Sequence, residues 1–403
     1  MKRLSYSSIG LALTLGFSQT ALAQSSPAIE GNVLNISLGA DVTHDTNVAH
    51  ASAAAAAQRG VVPADEKALP SADITFQRML GRNKVGLTGS TGYQLYRRNT
   101  RLNREKIDLD AYGDIAVSSC ALHLGANYTR GQSDLANLAL EQNANVTNTQ
   151  TTTGTSGNLF CGDEIGLRPN INASYQTTTN SQAQRKSMDR VELNYGGGIQ
   201  YAHPSLGTLD TFISRRETRF STIFLSDGRK AGFNIMSYGG KFTRDIGSRM
   251  RGSVELRYVQ MSTLQPGLST FSGLNWSVDL TADLLSRVQS KLGASRQVVT
   301  NAIAEAAYHV DRAYSASHDF AVNDRLHLTL AGSYMQQKYY GANLASSVSL
   351  RHSKRYDGSL ALVYTPSERL QFNLTTGYTK RNANGTFYDY DSFSVQSGFR
   401  VKI

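Results

Sequence analysis

Ser392-Phe393-Ser394-Val395-Gln396-Ser397-Gly398-Phe399-Arg400-Val401-Lys402-Ile403 closes the chain. Phe393, Val395, Phe399, Val401 and Ile403 fall on one face at a period of two, and Ser394, Gln396, Gly398, Arg400 and Lys402 on the other. Such alternation specifies a strand with one apolar and one polar face. In a soluble fold an apolar ladder at an exposed sheet edge invites aggregation. A membrane barrel removes that edge by pairing its last strand with its first. The pattern predicts barrel closure, with the terminal strand of a soluble sandwich as the alternative. In the barrel, Phe399, Val401 and Ile403 face lipid, while Arg400 and Lys402 face the lumen.

Composition agrees with a barrel wall. The chain has 403 residues and a net charge of +10, with only 7 prolines against 35 glycines and 20 tyrosines. Its apolar content of 40% is low for a membrane protein built from helices. No interior run approaches the roughly 20 apolar residues of a membrane helix. A barrel gives a polar average because alternate residues face water. No linker or helical periodicity divides the chain. At the amino end, Lys2 and Arg3 precede the apolar run Ile9 to Phe17, and Ala21-Leu22-Ala23 is a small-x-small cleavage site. Residues 1–23 therefore read as a secretory signal, leaving 24–403 as the barrel.

Going back along the chain, Leu34, Ile36, Leu38, Ala40 and Val42 alternate with polar residues in a first strand. Val48 to Pro70 reads as a long loop or a plug segment, with a short helix available at Ala51 to Ala57. From Ser71 onward one unit repeats: strand, tight turn, strand, longer polar segment. Turn residues stand at Gly81-Arg82-Asn83, Ser118-Ser119-Cys120, Cys161-Gly162-Asp163, Pro204 to Gly207, Asp245 to Ser248, Leu285-Ser286-Arg287, Asn323-Asp324-Arg325 and Pro366-Ser367-Glu368. Longer segments lie near Asn99–Arg104, Gln132–Asn145, Asn180–Arg190, Ile223–Arg229, Thr263–Thr270, Asn301–Ala307, Gly341–Ser346 and Asn382–Thr386. Short turns at one end and long loops at the other is the asymmetry of outer-membrane barrels. The expected fold is all-β: an antiparallel up-and-down transmembrane barrel of about 18 strands (16–18), even in number if both termini are periplasmic. Thr147–Phe160 and Thr208–Phe220 are ambiguous as strands.

The residues that could carry chemistry mostly have plainer readings. Cys120 and Cys161 both fall at short turns, and the export signal places them in an oxidising compartment, so a disulfide is expected. Neither has a CxxC or nearby histidine arrangement for metal. Asp108, Asp110, Asp114, Asp279 and Asp283 crowd the lumen face. Paired carboxylates could serve a glycosidase, but solvated pore charges are the stronger reading. Arg168, Lys241, Arg251 and Arg257 also face the lumen. Arg215, Arg216 and Arg219 approach one loop, and Arg351, Lys354 and Arg355 begin a strand at the same end. These cations would favour anionic solutes at an entrance, or bind acidic lipopolysaccharide heads. Tyrosines at strand ends suit interfacial girdles. No catalytic residue, cofactor or metal is expected, nor a nucleic-acid partner.

The mature start Asn35-Ile36-Ser37-Leu38-Gly39-Ala40-Asp41 leading to Asp45-Thr46-Asn47, the repeated two-strand unit, the late turn Tyr364-Thr365-Pro366-Ser367-Glu368-Arg369-Leu370 and the closing strand together resemble the β-barrel porin 2 family of proteobacteria. Within it the chain is similar to members that accompany exopolysaccharide assembly and export. The resemblance covers almost all of the mature chain. It implies an outer-membrane pore assisting passage of a polysaccharide, acidic polymers included, with polysaccharide export components as partners. Gly398, Phe399, Val401 and Ile403 fit the signal read by the barrel-assembly machinery, although many barrels end in Phe or Trp. The competing readings are a general small-solute porin, an outer-membrane enzyme and a closed structural barrel.

Overall fold

Period-two alternation in the sequence becomes one continuous cylinder of strands. The computed structural model describes residues 31–133, 135, 147–265, 267–300, 308–340 and 350–403. The export segment and the loops expected at Asn301–Ala307 and Gly341–Ser346 lie outside these residues, as does most of the loop expected over Gln132–Asn145. The strands are β1 (Val33–Asp45), β2 (Asp65–Leu80), β3 (Asn83–Tyr96), β4 (Arg104–Val117), β5 (Cys120–Gln132), β6 (Thr149–Cys161), β7 (Gly166–Asn180), β8 (Arg190–His203) and β9 (Gly207–Phe224). They continue as β10 (Lys230–Ile246), β11 (Met250–Thr263), β12 (Phe271–Leu285), β13 (Val288–Thr300), β14 (Tyr308–Asn323), β15 (Leu326–Tyr340), β16 (His352–Ser367), β17 (Leu370–Ala383) and β18 (Tyr390–Lys402). Each pairs antiparallel with its neighbours in sequence, and β1 pairs with β18, so the 18-stranded sheet closes on itself. Both ambiguous segments are strands, β6 and β9.

Large apolar side chains stand outward. Leu38, Ile171, Leu256, Leu292, Leu330, Leu360 and Phe399 are exposed. A belt of that extent would aggregate in water and suits lipid. Of the strand-end tyrosines, Tyr93, Tyr175, Tyr258, Tyr364 and Tyr378 share this exposed face. Tyr339 does not; it points inward, and its hydroxyl donates to Gln337.

The seam is held at three levels. At the turn end, Ile403 N donates to the Ile36 carbonyl. Midway, Arg400 bridges Asp41 on β1 (3.0 Å) and Asp73 on β2 (3.0 Å), while Asn373 of β17 donates to Asp41. At the loop end, Asn47 Nδ2 donates to the Ala51 and Asp391 carbonyls, and Asp45 accepts from the Asn47 backbone and from Ser392. The Asp45-Thr46-Asn47 motif is thus a staple between the first loop and the last strand.

Two expectations are revised. The segment Val48–Pro70 is not loop throughout, because β2 begins at Asp65 and residues 65–70 pair with β1. Its helix is α1 (Ala53–Gln58), capped by Ser52, whose side chain accepts from Ala55 N. It packs Ala55 and Ala56 against Leu102, Leu135 and Phe387 from three other loops, at the loop end of the barrel. The cysteines sit in strands rather than in turns. Cys120 opens β5, Cys161 closes β6, and the two are direct cross-strand partners joined by a disulfide.

Candidate functional site: the charged lumen

Inside the barrel the polar half of most alternations converges. The register fixes which side chains share that face. Asp41 and Arg400 belong to it, and following the ladder from β1 places Asp73, Thr88, Asp110, Asn127, Ser174, Asn194, Arg216, Lys241, Arg257 and Asp279 there too.

The charges expected on the lumen face, together with Arg216 and Arg355, take inward positions, but in different company. Asp114 is neutralised by Lys84 at 3.1 Å and hydrogen-bonded to His123 at 2.6 Å. Arg257 donates to Glu255 (2.9 Å) and stacks over Phe212. Arg355 pairs with Asp357 at 2.9 Å, and Asp357 accepts from Ser333 and Thr379. Near the turn end, Arg251 faces Asp245 at 3.7 Å, and Asp283 accepts from Gln289. Asp279 accepts from Ser253 at 3.5 Å.

A second group has no ion pair among the described residues. Arg168 reaches the Gln200 amide oxygen at 3.4 Å and lies over Phe160. Arg216 and Lys241 stand on adjacent strands, β9 and β10, but six register positions apart: Lys241 opposes Asp210, and Arg216 opposes Ile235. Asp108 and Asp110 stand two residues apart on β4. Signs are mixed along the wall: Asp210 opposes Lys241 on the cation-bearing strands and takes a hydrogen bond from Gln200, and Lys106 stands two positions from Asp108 on β4. Charges lining a passage act on a solute more strongly the less water separates them.

Sequence reading grouped Arg215, Arg216 and Arg219 together. The strand separates them. Arg216 faces inward, whereas Arg215 and Arg219 face outward and share Glu217, at 2.8 and 3.0 Å. It also missed the Asp41–Arg400–Asp73 cluster, which is assembled from β1, β18 and β2. Among the described residues no group of three or more His, Cys, Asp or Glu is placed to hold a metal ion.

A family model described as putative beta-barrel porin 2 matches residues 33–403. No curated protein matches the sequence. Among solved structures, OccK2 (OpdF) of Pseudomonas aeruginosa is similar at 13% identity and TM-score 0.49, over 93% of this chain and 100% of that one. A BenF-like porin of Pseudomonas fluorescens matches at 13% identity and TM-score 0.49, over 93% and 99%. The siderophore receptor PirA of Acinetobacter baumannii matches at 8% identity and TM-score 0.48, over 92% and 81%. Likenesses at that level carry no argument about the solute.

Proposed function

The chain belongs to the putative beta-barrel porin 2 family, and from that premise we propose that it forms a hydrated, non-enzymatic outer-membrane channel for anionic solutes. The observation that carries this reading is that three inward cations, Arg168, Arg216 and Lys241, have no ion pair among the described residues. An anion passing them recovers part of the hydration it loses on entry. The acidic pair on β4 supplies the opposite sign on another stretch of wall, so that a zwitterionic or hydroxylated solute is oriented as it passes. An acidic exopolysaccharide segment is the polymer implied by the family resemblance. It suits a mixed-charge wall because each sugar can exchange hydrogen bonds with successive side chains. The short turns then face the periplasm and the long loops the exterior, with the closing strand read by the assembly machinery and Arg215 and Arg219 against lipopolysaccharide.

The test is reversal potential in planar bilayers under a salt gradient. The wild type is expected to prefer anions, and Arg216→Ala with Lys241→Ala to move the potential toward cations. A potential unchanged by the double substitution would remove the charge argument. For the polymer, deleting the gene should reduce secreted polysaccharide; unchanged yield and chain length would favour a general small-solute porin.

A further inference from the structure

One stretch of wall departs from the closed ladder. β12 and β13 pair from the turn end up to Trp276 opposite Arg296 and then stop. Both strands continue, β12 to Phe271 and β13 to Thr300. The β12 residues 271–275 keep their partners on β11, so it is the β13 side that has left. Side chains take the place of the ladder: Arg296 donates to the Leu274 carbonyl, and Val298 N donates to the Asn275 side chain at 3.2 Å. Backbone groups left by a ladder must find partners.

The loop end of β13 has folded inward together with that of β14, which keeps its ladder to β15. Phe233, Ile235, Val259 and Met261 are inward residues of β10 and β11, by register with Lys241 and Arg257. They are buried in a cluster with Tyr308, Val310 and Val298. By register with Tyr314 and Leu292, those three belong to the outward set of β13 and β14. An outward face touches an inward face only if the sheet doubles over. The Tyr308 hydroxyl marks the fold by donating to the Thr270 carbonyl at 3.3 Å, and its ring meets Phe271 edge-on with centroids 5.6 Å apart.

We propose that the loop-end halves of β13 and β14 form a flap with two seats, and that it gates the channel; this rests on the channel reading above. In the inner seat, seen here, Val298, Tyr308 and Val310 lie on the apolar shelf of β10 and β11 and narrow the mouth. In the outer seat the flap zips to β12, extending the register through Asn275 with Gln297, Leu274 with Val298, Gly273 with Val299 and Ser272 with Thr300. The same three apolar side chains then face lipid, where their parity belongs. Both seats satisfy them, and that is the requirement for a two-state element.

The experiment uses the full-length protein in outer membranes and then in planar bilayers. Ser272→Cys with Thr300→Cys places two thiols opposite one another only in the outer seat, the native cysteines being already bridged. Mild oxidation of membranes is expected to join them, and the joined protein to show a several-fold rise in single-channel conductance, reversed by reductant. Phe271→Cys with Tyr308→Cys, joined by a short dithiol-reactive linker, is expected to hold conductance at its floor. Wild type with reductant controls for Cys120–Cys161. Failure of the Ser272/Thr300 pair to join in membranes overturns the outer seat. Joining without a change in conductance overturns the gate while leaving an anion-selective channel standing. Joining in a barrel that never conducts removes both readings.

Discussion

Two glycines decide whether the seam can hold its charges. Gly39 is the cross-strand partner of Arg400, and Gly398 that of Asp41. A Cβ at Gly39 would fall 2.8 Å from Arg400 Cγ, across the path by which the guanidinium crosses β1 to Asp73. A Cβ at Gly398 would fall 1.9 Å from Asp41 Oδ1. Asp41 is only 4% exposed, so its charge depends on Arg400 and Asn373. Arg400→Ala strands that carboxylate and is expected to cost about 3–5 kcal/mol, the usual penalty for breaking one side of a buried ion pair. Gly398→Val is expected to destabilise in the same direction by displacing Asp41. Urea unfolding of the refolded barrel in detergent checks both, and an unchanged midpoint for Arg400→Ala would show that the cluster does not stabilise closure. The sequence displayed each of these residues on the correct face, because parity is local. It could not display the cluster, which depends on a register between strands more than 350 residues apart.

At the level of elements, nearly all strands were legible because their two faces differ in polarity. β6 and β9 were not, and the reason is physical. The outward face of β6 carries Thr151, Thr153, Thr155 and Gly157 before reaching Leu159, and the loop end of β9 carries Arg215, Glu217 and Arg219 outward. Those faces offer no apolar alternation to read. The start of β2 was hidden for another reason. Pro70 lacks a backbone donor, and the β2–β3 ladder skips Leu69 and Pro70. The flap was not legible at all, since β13 and β14 alternate as ordinary strands beyond the point where they leave the wall. The helix α1 was legible as an alanine run, but not its seat. Ala55 and Ala56 are fully buried, so only side chains of this size allow the close approach. Ala56→Trp overpacks that contact, a change that typically costs about 1–3 kcal/mol. The expected outcome is a new limited-proteolysis site within residues 46–64 with the barrel itself intact; an uncut segment would mean the seat tolerates the added volume.

The whole molecule is a wall whose two ends differ in kind. One end is tight turns; the other carries α1 with its loop cluster on one side and the flap with its apolar shelf on another. Selectivity is assigned to charges along the wall and gating to this second end, and the two are separable by experiment. The disulfide belongs to the first end, at the base of the β5–β6 hairpin. Its cysteines are 41 positions apart, and residues 133–148 follow β5 and precede β6 in sequence between them. The hairpin is therefore a covalent ring. A protease cutting within 133–148 would yield a nicked chain that migrates as one species without reductant and as two fragments with it. If the turn end faces the periplasm, as proposed above, a break between the two strands on the outer side need not shed either half of the barrel, because the stitch that retains both pieces lies across the membrane from the protease.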